Sequence, residues 1–88
     1  MTNLKKYKCN KIVEGAEIIY IDYNAGMSKD KSTKYSNIVT IDGTITVDNK
    51  YIEKHEPKVG GYYVRYKDGY QSFSPKEAFE EGYTEIKT

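Results

Sequence analysis

The sequence predicts a small, mainly β domain of the α+β type: an antiparallel sheet, or partly closed barrel, of about five strands with one short C-terminal helix. Three observations predict it. Asp42-Gly43 and Asp68-Gly69 each sit between arms rich in β-branched and aromatic residues, the commonest short hairpin signal. Ten Tyr and abundant Ile, Val and Thr supply strand formers. Ser74-Pro75-Lys76-Glu77 reads as the start of a helix and Gly82 as its stop.

Residues Tyr7 to Val13 have strand composition, with Tyr7, Cys9 and Lys11 on one face. Glu14-Gly15-Ala16 is expected to interrupt them as a bulge or bend. Glu17 to Tyr23 follows as a second strand. Its alternation sets Ile19, Ile21 and Tyr23 on one side and Ile18, Tyr20 and Asp22 on the other. Asn24 to Lys34 is small, polar and Lys-rich, and reads as the one long loop. Two registers compete in the hairpin from Asn37 to Val47. A two-residue Asp-Gly turn opposes Ile41 to Thr44; a three-residue loop with a left-handed Gly opposes Val39 to Ile45. The second is preferred, because it gathers Val39, Ile45 and Val47 on one face.

Asp48 is placed to cap a turn or 3₁₀ piece over 48–54, with Tyr51 and Ile52 inward and Pro57 as its end. Val59-Gly60-Gly61 leads into the second hairpin, Tyr62 to Phe73. Its preferred register sets Tyr62, Val64, Tyr66, Tyr70 and Ser72 on one face and Tyr63, Arg65, Gln71 and Phe73 on the other. One face is expected to be core and the other displayed. Ser74 as N-cap, Pro75 at N1 and Glu77 at N3 form a capping box, and Phe79 must hold so short a helix by packing. Tyr83 to Ile86 returns as a final short strand.

Eighty-eight residues make one domain, 1–88, with a flexible N-terminus over about 1–5 and a mobile loop over about 24–34. So short a chain builds a thin core, and a homodimer or higher oligomer would add to its stability. A net charge of +1 gives no long-range field for gripping a phosphate backbone, which argues against long duplex nucleic acid. The single Cys excludes an intramolecular disulfide and fits a reducing compartment. No apolar h-region follows Met1 and no apolar run is long enough to span a bilayer, so neither a signal peptide nor a membrane segment is expected.

The chemistry this chain lacks is as informative as what it holds. One Cys and one His cannot build a structural zinc site, and calcium-loop spacing is missing. No P-loop, Gly-x-Ser-x-Gly or dinucleotide fingerprint occurs. His55 stands in a polar stretch, which reads as a solvated or capping role. No cofactor and no enzymatic activity are expected. What remains is Tyr: Tyr62, Tyr63, Tyr66 and Tyr70 surround Arg65, the chain's only Arg, with Gln71 opposite. Arg beside Tyr is the composition of an interface hot spot, and equally of a surface that stacks a nucleotide or single-stranded nucleic acid. Lys29, Lys31 and Lys34 in the loop complete the candidate binding set.

The run from Val59 to Ile86 resembles a family of short proteins from bacteriophages and prophages. The residues that carry the resemblance are Gly60-Gly61-Tyr62-Tyr63-Val64, Asp68-Gly69-Tyr70, Ser72-Phe73-Ser74-Pro75 and Ala78-Phe79-Glu80-Glu81-Gly82-Tyr83-Thr84. The opening Tyr7 to Ala16 and the His55-x-Pro57 approach are similar too, while Tyr23 to Tyr35 matches only weakly. The resemblance covers roughly half the chain and is most specific in its C-terminal third. It implies a phage or prophage origin and the cytoplasm of an infected or lysogenic bacterium, and it brings no catalytic residues.

Two classes of function follow. The first is a binding inhibitor of a host bacterial protein, with an anti-CRISPR or other anti-defence role, which occludes its target with an aromatic-rich sheet face and the Asn24–Lys34 loop. The second is a module that binds or sequesters a small nucleotide or single-stranded nucleic acid through Tyr63, Arg65 and Gln71. A structural or replication accessory of the phage is a third alternative.

Overall fold

One strand organises the fold. A computed structural model describes residues 4–8 and 12–85. Its elements are β1 (Lys5–Lys8), β2 (Ile12–Met27), β3 (Lys34–Thr40), β4 (Gly43–Asp48), α1 (Asn49–His55), β5 (Tyr62–Arg65), β6 (Gln71–Ser74), α2 (Lys76–Gly82) and β7 (Thr84–Glu85). The mainly β, antiparallel class holds. Among the described residues the strands number seven rather than five, and the sheet does not close into a barrel. The reason is the length of β2. No single neighbour covers its 16 residues, so several short strands share the task.

β2 pairs with β1 over Ile12–Gly15, with β5 over Glu14–Glu17 and with β3 over Ile18–Met27. The backbone at Ile18 shows how these neighbours are arranged. Ile18 donates to the Gly61 carbonyl and accepts from the Gly60 N–H, while the carbonyl of the preceding Glu17 accepts from Ile41. Adjacent residues direct their backbone groups to opposite edges of a strand. The β5 hairpin therefore lies along one edge, and the β3–β4 hairpin along the other. The Lys5 ammonium lies 3.8 Å from the Asp42 carboxylate at the β3–β4 turn, so β1 and that hairpin abut.

Glu14-Gly15-Ala16, expected as an interruption, runs unbroken within the first third of the longest strand. The reversal falls between Lys8 and Ile12, which pair with each other. The reading of Cys9 and Lys11 beside Tyr7, and of Ile86 in β7, lies outside the described residues. So does most of the N-terminal stretch expected to be flexible, although Leu4 packs against the core and Lys5 opens β1. Gly15 is needed for space: a Cβ there would stand 3.1 Å from the Phe79 ring.

Two irregularities break the simple alternation of β2. Ile18 pairs with Thr40 but Tyr20 with Val39, so Ile19 is an extra residue. Asp22 pairs with Asn37 and Gly26 with Tyr35, so a second bulge lies between them, with Asn24 at φ 54°. The first bulge corrects the expected face. Ile18 and Ile21 both enter the core, and Ile19 is exposed.

The register of the β3–β4 hairpin is also corrected. Ile38 pairs with Ile45 and Thr40 with Gly43, leaving a two-residue turn of Ile41 and Asp42. Thr40 decides it. Its hydroxyl donates to the Gly43 carbonyl at 2.7 Å and accepts from the Asp42 N–H at 3.1 Å. Ile38, Ile45 and Val47 form the buried face, and Val39 turns outward. The second hairpin keeps its expected register: Tyr63 pairs with Phe73, Arg65 with Gln71, and the loop Lys67–Gly69 carries Gly69 at φ 93°.

The segment read as a turn is a true helix, α1. Asp48 caps it by accepting from the Tyr51 N–H at 2.9 Å, and Glu56 ends it in the left-handed region just before Pro57. α2 starts one residue later than expected, with Pro75 at the N-cap position, and no capping box forms. Ser74 is held in β6 opposite Tyr62, which places it outside the helix. Gly82 is the last residue of α2, and Tyr83 serves as C-cap.

Neither face of β5 is displayed. Tyr63 enters a core with Ile18, Ile21, Ile38, Ile45, Val47 and Tyr51, roofed by α1. Tyr62 and Val64 enter a second core with Val13 and Phe79, roofed by α2. Phe79 stacks on Tyr62 at 4.2 Å and on Tyr83 at 4.6 Å, and meets Tyr7 edge-on at 4.7 Å. Phe79→Ala is expected to cost about 3–5 kcal/mol, measured as the shift of the urea midpoint. A Cβ on Gly61 would lie 2.4 Å from the Phe73 ring and 3.0 Å from the Ser74 carbonyl oxygen. Gly61→Ala is therefore expected to cost about 1–3 kcal/mol in the same measurement.

Candidate functional site

The Tyr/Arg set divides by depth. Tyr63 is fully buried, and its hydroxyl accepts from Gln71 Nε2 at 2.6 Å. Tyr62 is buried and donates to Glu80 Oε2 at 2.8 Å. Arg65 places Nε and a terminal guanidinium nitrogen each 3.1 Å from Glu14 Oε1 across the β2–β5 pair. Tyr66 and Tyr70 stack on each other at 5.7 Å beside the hairpin loop. Tyr70 also meets His55 edge-on at 5.9 Å and lies under the Lys54 ammonium. The face of Tyr63, Arg65 and Gln71, one of the two that could be displayed, is thus largely committed to bonds within the fold, with the Arg65–Glu14 pair about one-third exposed. The reason is that β5 is flanked by β2 and β6 and roofed on both faces.

Burial raises the phenol pKa of Tyr63, and raises those of Tyr51 and Tyr62 further. For Tyr62 the bond to the Glu80 carboxylate adds to desolvation. These hydroxyls stay protonated at any physiological pH and serve as structural hydrogen-bonding groups. Tyr51, for example, donates to the Ser72 carbonyl at 2.6 Å and ties α1 to β6.

The loop residues lie elsewhere. β2 runs on through Asn24 to Met27 and β3 begins at Lys34, so the loop shrinks to 28–33. Lys29 and Lys31 are exposed in it and Lys34 is exposed at its foot. Asp30 is its anchor. One carboxylate oxygen accepts from the Ser28 and Ser32 hydroxyls, both at 2.7 Å, and from the Ser32 N–H at 3.0 Å. These bonds hold the Asp30 carboxyl down at about 2. The tip is therefore shaped, and it presents three Lys against one Asp.

Sequence reasoning did not select the surface that the structure exposes most. The large apolar residues at least two-fifths exposed among those described are Ile12, Ile19, Tyr20, Tyr23, Met27, Ile41, Val59 and Tyr70. Half of them fall on β2 between Ile19 and Met27. Beyond Ile18 this strand and β3 project as an arm that ends in the Lys-bearing tip. One face of the β2–β3–β4 sheet is core. The other carries the cross-strand rows Tyr20–Val39–Thr44 and Asp22–Asn37–Thr46, the second joined by the 2.8 Å bond from Thr46 to Asn37. The available signal was that Glu17 to Tyr23 is apolar on both faces, with too few apolar residues elsewhere to cover both.

Two shallow grooves complete the surface. One, about 550 Å³, is lined by Lys6, Ile12, Glu14, Arg65, Tyr66 and Lys67. The other, about 630 Å³, runs along His55, Lys58, Val59, Gly61, Phe73 and Lys76. Among the described residues neither groove sets a Ser, Thr or Cys beside its titratable groups. No cluster of three or more His, Cys, Asp or Glu able to hold a metal ion occurs among them either. No helix among the described residues is long and apolar enough to cross a membrane.

A comparison of the chain with protein-family models, curated proteins and solved structures finds no match.

His55 gives a pH-dependent handle on the α1–hairpin contact. Its pKa is lowered, first by burial against Tyr51 and Tyr70 and then by the neighbouring Lys54 charge. The unfolded chain binds the proton near 6.5, and the folded chain only at lower pH. Stability is therefore full above 6.5 and declines as pH falls below it. A melting-temperature series across that range is expected to show the decline, and His55→Gln is expected to flatten it.

Proposed function

We propose that this is a phage- or prophage-encoded, non-enzymatic binding protein. It inhibits a host bacterial defence system, as an anti-CRISPR or other anti-defence factor, by covering a surface of its target protein. The observation that supports binding is the β2–β3 arm. Ile19, Tyr20, Tyr23 and Met27 stand about half exposed on one short stretch, next to a shaped tip with Lys29, Lys31 and Lys34. A contiguous apolar patch with a charged rim marks an interaction surface. The phage origin and the defence target rest on the resemblance of the run from Val59 to Ile86.

The occluding surface moves from the second hairpin to the outer face of the β2–β3–β4 sheet and the tip of the arm. A nucleotide held by Tyr63, Arg65 and Gln71 has less support. It would have to replace the Gln71–Tyr63 bond and the Arg65–Glu14 pair, and Tyr63 has no exposed ring face to stack on.

The test combines capture and phenotype. Tagged protein in the lysate of a defended host is expected to retain one host protein, and its expression to restore phage plaquing on that host. Tyr20→Ala combined with Lys29→Glu and Lys31→Glu is expected to weaken capture about tenfold or more with an unchanged melting temperature. Unaltered capture by this variant would reject the arm as the docking surface. Failure to restore plaquing on every defended host would reject the anti-defence role.

A further inference from the structure

We propose that the free edge of β2 between Ile19 and Met27 pairs with the same edge of a second copy, making a two-fold dimer joined arm to arm. The inference rests on reading the arm as a binding surface and names the occupant of its edge; the Lys29–Lys31 tip and the outer face of β3 and β4 are left to a host protein.

The edge is open because the β5 hairpin stops short. On that side β5 covers Glu14–Glu17, and the Gly60–Gly61 backbone closes the ladder at Ile18. From Ile19 to Met27, β2 has β3 on one edge and no strand on the other among the described residues. Over these nine residues the backbone groups on the side away from β3 have no strand partner among the described residues, and with exposed Ile19, Tyr20, Tyr23 and Met27 beside them they form a template for strand addition.

A second copy fits this edge for three reasons. First, the stretch complements itself. Antiparallel pairing centred on Tyr23 sets Ile19 opposite Met27 of the second copy and Tyr20 opposite its Gly26. A Cβ built on Gly26 would meet nothing within 4 Å, so the Tyr20 ring has room to lie across that backbone. Second, charge agrees. The base of the arm carries Glu17, 3.6 Å from Lys76, and the tip carries exposed Lys29 and Lys31, and antiparallel pairing brings Lys29 of one copy toward Glu17 of the other. Third, area suffices. A fully buried aromatic side chain covers 150–250 Å², so four half-exposed large side chains with their backbone cover roughly 500 Å² per copy, or about 1,000 Å² in all, the threshold for a specific contact. The pairing is isologous and uses the same edge on both copies, so it closes at two. The bulge around Asn24 kinks the edge and disfavours a longer, flat array.

Light scattering of the eluting wild-type protein at high micromolar concentration is expected to give twice the chain mass. Ile19→Lys with Tyr23→Lys, both at exposed positions, is expected to give the single-chain mass with an unchanged far-UV circular dichroism spectrum, and a dimer at least about tenfold weaker. In a Cys9→Ser background, Tyr23→Cys is expected to form a disulfide-linked dimer on oxidation and Thr46→Cys, away from the edge, is not. A wild-type mass of one chain overturns the proposal, as does a dimer that survives both Lys substitutions or a cross-link at Thr46→Cys alone. Capture of a host protein by a wild type of single-chain mass removes the dimer and leaves the proposed function standing. A dimer that captures nothing does the reverse.

Discussion

A single strand too long for any one neighbour governs this protein. β2 spends its first third between β1 and β5, passes the β5 hairpin at Ile18, and continues with β3 alone. Everything else follows from that change of neighbours. The core under α2 forms where β2 runs beside β1 and β5, and the core under α1 takes Ile18 and Ile21 from where β2 passes on to pair with β3. An arm forms where it is flanked on one edge. The 42 Å long axis of the molecule, against 22 and 21 Å for the others, is the shape this division gives.

The two cores explain how so small a domain employs so many Tyr. β5 alternates Tyr62, Tyr63 and Val64 between them, so adjacent rings on one strand serve opposite sides. Each buried phenol then needs a partner at its rim. Tyr63 has Gln71, Tyr62 has Glu80 and Tyr51 has the Ser72 carbonyl. Hydroxyl bonds link β5 to β6, β5 to α2, and α1 to β6, and so join elements that apolar packing alone would hold loosely.

The parts legible in the sequence are those fixed by local backbone chemistry. Gly69 accepts a positive φ, so the second hairpin could be placed in its register, and Asp48 announced the start of α1. Where a side chain competes with a backbone rule, the reading failed. Thr40 closes the first hairpin one residue earlier than the Asp-Gly pair suggests, and a bulge at Ile19 puts Ile18 on the same core face as Ile21 and leaves Ile19 exposed. The pairing of Ser74 with Tyr62 removed the capping box. The candidate site was legible only in part. Lys29, Lys31 and Lys34 do lie on the projecting arm, but of the Tyr/Arg set Tyr62 and Tyr63 are core, Arg65 is paired with Glu14, and Tyr70 is exposed beside the hairpin loop. A strand apolar on both sides cannot reveal from sequence alone which stretch finds a second roof.

The position of the Ser28–Thr33 tip has an evolutionary consequence. It hangs beyond both cores and is tied internally by Asp30, with no bond to the cores among those described. Changes in its length cost little, because loop-closure entropy grows by only about 0.6 kcal/mol for each doubling. The tip can therefore diversify in sequence and size while the scaffold stays constant. A lineage pressed to follow a changing partner would vary there first.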